Sequence, residues 1–375
     1  MNEFIPVNEP LLNGNEKDYL VECIDSGWIS SEGPFVKRFE ANFSEYIGRD
    51  YAVSVSNGTA AIDIAIAALD LKEGDEVIMP DFTIISCINQ IIRAKIKPVL
   101  IDCDKYNFNM NVNDIESKIT KNTKAIMVVH IYGLPVEMNE VLKIAKKYNL
   151  KIIEDAAEVH GQKYYDRNCG TFGDISTFSF YPNKHITTGE GGMVLTDDKN
   201  LYERLKSLRN LCFDNKDRFV HKELGWNMRL TNLQAALGVA QLEQIDFFIE
   251  KKRHIGNLYN DLLKDISCLY KPVKKTEYAE NIYWVYGLVI KEEYQKNAKD
   301  VMNELTKCGI GSRPFFYPMH KQPILKEMGY FKDDIHENSS YISKKGFYIP
   351  SGLGLSDEKV NIVSNKLHEI CRKLF

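Results

Sequence analysis

No run of apolar residues in this chain is long enough to cross a membrane. The most apolar stretch, Ile62 to Leu71, is short and carries Asp63 and Asp70, whereas a spanning helix needs about 20 apolar residues. The N-terminal MNEFIPVNEP has no basic region followed by an apolar core and does not read as a secretory signal. Charge of one sign is also scarce. Lys plus Arg is 48 and Asp plus Glu is 52, a formal net charge of −4, which argues against a general electrostatic grip on nucleic acid or an anionic membrane. None of the 8 cysteines pair as C-x-x-C, and no histidines cluster at zinc-ligand spacing. The cysteines read as free thiols in a reducing cytoplasm, with no metal site expected. Repeats and low-complexity tracts are missing. What remains, 44% hydrophobic and 27% charged residues, is the make-up of an ordinary globular protein and excludes disorder as the main state.

The 375 residues correspond to two or three domains at about 150 residues each. From about residue 50 to 200, short β-branched runs alternate with longer helical patterns. Tyr51–Ser56, Glu76–Met79, Pro98–Ile101, Ala125–His130, Lys151–Asp155, Ser176–Phe180 and Gly192–Thr196 read as strands. Most are continuous apolar runs, as in strands covered on both faces. Ala60–Leu69, Ile84–Ala94 and Met138–Tyr148 read as helices between them, which predicts an α/β fold with a mainly parallel sheet. Beyond Thr196, Leu201–Arg209 reads as a helix. Thr231 is the expected N-cap of another that runs unbroken for over thirty residues and contains no proline. The remainder mixes a strand at Trp284–Ile290 with helices at Ala298–Cys308 and Asp357–Leu374, as in a smaller α+β domain. The expected division is an arm at 1–15, a large domain at 16–245 and a small C-terminal domain at 246–375, with a first helix at Asn15–Ser26.

In open α/β folds ligands bind beyond the carboxyl ends of the strands, and four segments there carry chemistry. In Ser56-Asn57-Gly58-Thr59 a strand turns into a helix whose first amides and dipole favour an anion. The segment is either a phosphate cradle or an ordinary capped turn. Asp155 ends the apolar KIIED strand, where a carboxylate can hold a cationic ring nitrogen or a metal, or merely cap a turn; Glu158 lies three residues on. In ISTFSFYPNKHITTGEGGMVL, Ser179 and Lys184 flank Pro182, and Lys184 sits in a small-residue loop between two buried strands. A lysine of depressed pKa in such a place can form an imine with a carbonyl, while His185 reads as a supporting or surface histidine. In HKELGWNMRLT, Asn227 and Arg229 are anion partners or a polar lead-in to the helix.

Together, and in this order, these segments resemble the DegT/DnrJ/StrS family of sugar aminotransferases, pyridoxal-phosphate (PLP) enzymes of fold type I. The resemblance runs nearly the full length. It spans PVNEPLLNGNEKDYL, GWISSEGPFVKRFE, SVSNGTAAIDIA, VHIYGLPVEM, IIEDAAEVHG, the Lys184 segment, LGWNMRLTNLQAALGVAQLE, SRPFFYPMHKQP and GFYIPSGLGL. It implies a seven-stranded large domain. It also implies that Lys184 holds PLP covalently and carries the proton between cofactor and substrate carbon. Asp155 then pairs with the ring nitrogen and Glu158 lies beside the ring hydroxyl. Gly58, Thr59 and Ser179 hold the cofactor phosphate, Asn57 is a further cofactor-binding residue, and Asn227 reaches the phosphate of the other subunit's cofactor in a homodimer with shared sites. L-glutamate is the implied donor and a nucleoside-diphosphate keto-sugar the acceptor. The sugar nucleotide is expected to touch Ser30, Ser31, Arg229, Arg313, Tyr317 and His320.

Two positions depart from the family pattern. Ile84 follows Thr83 where many relatives have an aromatic that stacks on the ring, so the stacking partner is open; Phe82 lies close by in sequence. Leu134 stands where the pattern HxYGHP has histidine. Some relatives replace the lysine with histidine and dehydrate the sugar. Here four residues separate Lys184 from GEGG, which is the family spacing, and His185 does not satisfy it. Aminotransfer is therefore favoured over dehydration, with C4 of a 4-keto-6-deoxyhexose the expected position and C3 the alternative. A regulatory protein on the same fold is the reading from another class, and the presence of Lys184 argues against it.

Overall fold

Seven short segments pair into one sheet in the order Tyr51–Val55, Gly192–Thr196, Ile175–Ser179, Lys151–Asp155, Thr123–Val129, Glu76–Pro80 and Lys97–Ile101. These are the seven segments expected from the sequence, with ends moved by a residue or two. Only Gly192–Thr196 runs antiparallel to its neighbours. The computed structural model describes residues 4–213, 217 and 219–375.

Both faces of the sheet are covered, which is why its strands are apolar throughout rather than alternating. In Thr123–Val129, Ile126 and Val128 join the core on one face while Ala125, Met127 and Val129 join the core on the other. One face carries the helix Pro34–Ile47. A proline opens it and Gly48, at φ 92°, closes it. Its buried stripe Phe35, Phe39, Phe43 and Ile47 packs on the helix Asn232–Leu242. Gly238 makes that contact possible, because a Cβ there would stand 2.6 Å from the Phe39 ring. The opposite face carries the helix Gly58–Ala68.

The expected single helix after Thr231 is two helices. Thr231 caps Asn232–Leu242 in a capping box with Gln234, the helix ends at Glu243, the chain leaves helical geometry at Gln244, and Ile245–Leu262 follows. Neither proline nor glycine marks the break. Tertiary bonds do: Gln241 donates to the Leu11 carbonyl and to Glu16, and Glu243 accepts from Asn15, Tyr19 and Arg38. The second helix starts in the sheet core with Ile245, Phe248 and Ile249 and ends in another core with Ile255 and Tyr259.

That second core lies under a four-stranded antiparallel sheet in the order Leu269–Tyr270, Tyr286–Ile290, Gly346–Ile349 and Arg313–Pro314. The helices Ala298–Lys307 and Asp357–Leu374 pack on it. The expected strand Trp284–Ile290 begins two residues later. The N-terminal segment is bonded to this part of the chain: Ile5 pairs with Ile310, and the Val7 and Glu9 carbonyls accept from the Ser351 and Gly354 amides. The first helix is Glu16–Ser26. All 8 cysteines are free, and all but Cys308 are buried. Among the described residues no helix is long and apolar enough to cross a membrane.

Candidate active site

Three strand ends and two helix starts enclose a cavity of 730 Å³. Asn57, Gly58, Thr59, Asp155, Glu158, Ser179 and Lys184 all line it, so seven of the fourteen residues singled out in the sequence converge on one space.

The start of Gly58–Ala68 forms one wall. Asn57 is extended (φ −169°, ψ 172°), and its side-chain oxygen accepts from the Ala60 amide at 2.8 Å. This satisfies one of the orphan donors of the first turn and leaves the Gly58 and Thr59 amides without an intrahelical acceptor at the positive end of the helix. The Asn57 side chain is therefore committed to the cap. A Cβ on Gly58 would lie 2.6 Å from the Ser179 Cβ, so the glycine lets the helix start and the Ser179 hydroxyl share one corner. The Thr59 hydroxyl is 2.9 Å from that of Ser86.

Asp155 stands buried at the end of its strand. One carboxylate oxygen accepts from the Ala157 amide at 3.0 Å and the other from the Cys87 thiol at 3.5 Å, and Thr83 lies 3.4 Å from that thiol. Burial pushes the Asp155 pKa up, against the pull of those partners and of Lys184. Glu158 accepts from the Tyr132 amide at 2.9 Å and lies 3.7 Å from the Lys184 Nζ. Burial raises it to about 7, with Lys184 opposing. Lys184 is itself pushed below the ordinary lysine range, first by burial, with Glu158 and Asp155 pulling back. Its Nζ sits 3.8 Å above the centre of the Trp284 ring, and the indole N–H donates to the Asn183 carbonyl at 2.7 Å. A buried amine of lowered pKa, facing open space, is suited to attack a carbonyl and to pass a proton.

His185 points elsewhere. It is not at the surface: it is 1% exposed, outside the cavity, edge-on to the His160 ring at 5.8 Å. The adjacent Lys184 and His185 thus have opposite environments, and only the lysine can reach a ligand in the cavity.

The other expected contacts do not line this cavity in one copy of the chain. Ser31 borders a separate groove with Tyr51 and Tyr202, and the Ser30 carbonyl accepts from the Asn232 amide. Asn227 is exposed. Arg229 donates to the Asn210 side chain at 2.6 Å. Arg313 and Tyr317 are exposed, and Arg313 donates to the neighbouring Ser312 carbonyl. His320 is buried, with Nδ1 2.7 Å from Asp81 and Nε2 3.3 Å from the Ser340 hydroxyl. Its ring is occupied in joining the end of the strand Glu76–Pro80 to the C-terminal part of the chain.

The open question of the ring partner is answered in part. Phe82 is fully buried against Tyr132 and Phe316 and does not line the cavity, whereas Ile84 does. Aromatic walls come instead from Trp284, Phe316 and Tyr348, which sequence reasoning missed. They lie more than a hundred residues from Asp155, and only tertiary packing brings them in. Cys87 and Thr83 were missed as well; their one signal is closeness in sequence to Ile84.

The whole chain matches known proteins. Residues 10–368 match the model of the DegT/DnrJ/EryC1/StrS aminotransferase family. The chain belongs to that family. A GDP-perosamine synthase of Escherichia coli is 42% identical over 367 residues, 98% of each chain. One from Vibrio cholerae is 39% identical over 96% of this chain and 97% of its own. Among solved structures, Helicobacter pylori PseC, an aminotransferase of pseudoaminic acid biosynthesis, superposes with a TM-score of 0.94 at 24% identity, over 99% of this chain and 100% of its own. A GDP-4-keto-6-deoxymannose-3-dehydratase that holds PLP and glutamate trapped together superposes at 0.88 with 25% identity, over 97% and 100%. The fold is that of the type I PLP enzymes, and the chain is a PLP-dependent sugar aminotransferase.

Proposed function

We propose that the chain moves the amino group of L-glutamate to C4 of a GDP-linked 4-keto-6-deoxyhexose. The observation that carries this reading is Lys184: its buried amine faces the cavity beside Glu158 while His185 is turned into the core. The relatives named GDP-perosamine synthase, at 37 to 42% identity, support the guanine nucleotide and the sugar. The histidine-for-lysine dehydratase alternative has no histidine in the cavity to support it.

The residues present fit PLP. The buried Thr177 hydroxyl and the Asn183 side-chain oxygen border the cavity without a hydrogen-bond partner. Asp155 is a buried carboxylate held by one amide and one thiol, able to accept a cationic ring nitrogen. The free amides of Gly58 and Thr59, with the Ser179 hydroxyl, suit a phosphate. When bound, PLP supplies an electron-withdrawing ring that stabilises charge at the carbon bearing the amino group. Asp155 would hold the ring nitrogen and keep it protonated. Lys184 would hold the group covalently and would move a proton at the substrate carbon. Glu158 would orient the group from the side of Lys184. The walls of Trp284, Phe316 and Tyr348 exclude water.

In this reading residues 16–245 bind the cofactor and residues 246–375 close over it. The site is shared in a homodimer, with Asn227 reaching the partner's cofactor phosphate. Ser30, Ser31, Arg229, Arg313 and Tyr317 meet the sugar nucleotide across that interface. The test is incubation with L-glutamate and, separately, GDP-4-keto-6-deoxymannose or the corresponding 3-keto sugar nucleotide, followed by mass and NMR analysis of the product. A 4-amino sugar is expected. A deoxygenated sugar without nitrogen, or a 3-amino product from the corresponding 3-keto sugar alone, would overturn it.

A further inference from the structure

Lys252 is an unusual group in this protein. It lies on the helix Ile245–Leu262, is 3% exposed, and pairs with no carboxylate among the described residues. Its Nζ donates to two backbone carbonyls, Trp284 at 2.8 Å and Ser351. A buried lysine without a counter-charge is costly and needs a compensating role. Solvation by carbonyls alone leaves the amine with a depressed pKa of about 7, burial being the cause. Both the ammonium and the neutral amine keep two N–H donors for those carbonyls, so the contacts survive the loss of its proton.

The residue held by Lys252 is the one under the reactive lysine. Trp284 is fixed at its carbonyl by Lys252 and at its indole N–H by the Asn183 carbonyl, and its ring face lies 3.8 Å from the Lys184 Nζ. Ser351, the second acceptor, also receives the Tyr286 amide on its hydroxyl, so Lys252 joins one helix to two separate stretches of the C-terminal sheet region. We propose that Lys252 is a positioning residue that sets the proton affinity of the Lys184 nitrogen by holding the Trp284 ring against it. The inference rests on Lys184 being the cofactor lysine. A ring face favours the protonated nitrogen, so Lys252 acts through Trp284 to raise that affinity. As a bare nearby cation it would lower it. The two effects have opposite signs.

The test is a pH titration of the visible absorption of the PLP-loaded protein, comparing wild type with Lys252→Met, Lys252→Arg and Trp284→Leu, and with Lys252→Met made in the Trp284→Leu background. The expected result is a fall in the apparent pKa of the Lys184 chromophore in Lys252→Met of about 0.5 to about 1.5 units, the size of one cation–π contact from exposed to desolvated. Lys252→Arg, which keeps the donors, restores it, and Lys252→Met adds nothing in the Trp284→Leu background, where no ring face remains. A rise in pKa, an unchanged pKa, or an equal fall in the Trp284→Leu background overturns the proposal. If Lys252→Met fails to fold, Lys252→Gln, whose shorter side chain cannot reach both carbonyls, takes its place: an unshifted titration contradicts the proposal. Absence of any lysine-bound band in the wild type would instead refute the reading of Lys184 itself.

Discussion

At the scale of single residues, the site is a set of buried charges whose environments oppose their ionisation. Asp155 and Glu158 are pushed up and Lys184 down, each chiefly by burial. Opposed ionisation of this kind, gathered around one cavity, suits a site where a ligand supplies the missing partner. For Asp155 that partner is the ring nitrogen. Asp155→Asn keeps the shape and the Ala157 contact but removes the charge, so turnover is expected to fall by about 100-fold or more while the protein still takes up PLP on Lys184. Steady-state rates read beside the visible spectrum check this; near-normal turnover would refute the pairing. The sequence singled out Asp155 and Lys184 because one ends an apolar strand at the rim of the sheet and the other sits in a small-residue loop between two buried strands. It hid Cys87, Thr177 and Trp284, whose relevance comes only from what they touch.

At the scale of elements, the phosphate corner depends on how closely the helix Gly58–Ala68 approaches the strand Ile175–Ser179. Gly58→Ala places a methyl group 2.6 Å from the Ser179 Cβ, a contact that neither rigid atom can relieve by rotation. The helix start must move, at a cost of about 1–3 kcal/mol, and the affinity for PLP should drop roughly tenfold or more. Spectroscopic titration of the apo-protein measures it, and unchanged affinity would show that the corner does not hold the phosphate. The seven strands were legible because double-sided burial writes them as apolar runs. The break at Glu243 and Gln244 was not, since every residue there is compatible with a helix. It is made by bonds to Asn15, Glu16, Tyr19 and Arg38, which lie about 200 positions earlier. His320 shows the same limit: its segment marks it as polar and therefore available, yet Asp81 and Ser340 engage its ring from distant parts of the chain.

At the scale of the whole molecule, Lys252 links stability to pH. Its pKa lies near 7 in the folded protein against an ordinary value of about 10.4. Between those limits the unfolded chain binds the extra proton, so stability contributed at this position rises with pH from about 7 upward. Lys252→Met should flatten that rise, which urea unfolding at about pH 7.5 and about pH 9.5 would reveal; an identical pH slope in the two proteins would refute the assignment. The wider architecture was readable from the order of strands, helices and motifs. The joining of the N-terminal segment to Ile310, Ser351 and Gly354 was not, because backbone pairing between distant segments leaves no periodic trace in either.

The central claim is that Lys184 carries the cofactor for amino transfer, and the visible absorption spectrum tests it most directly. The purified protein with PLP is expected to show the band of a lysine-bound cofactor. L-glutamate should bleach that band with formation of one equivalent of 2-oxoglutarate, and Lys184→Ala should lack the band altogether. A band that persists in Lys184→Ala, or one that no amino acid bleaches in the wild type, would contradict the account.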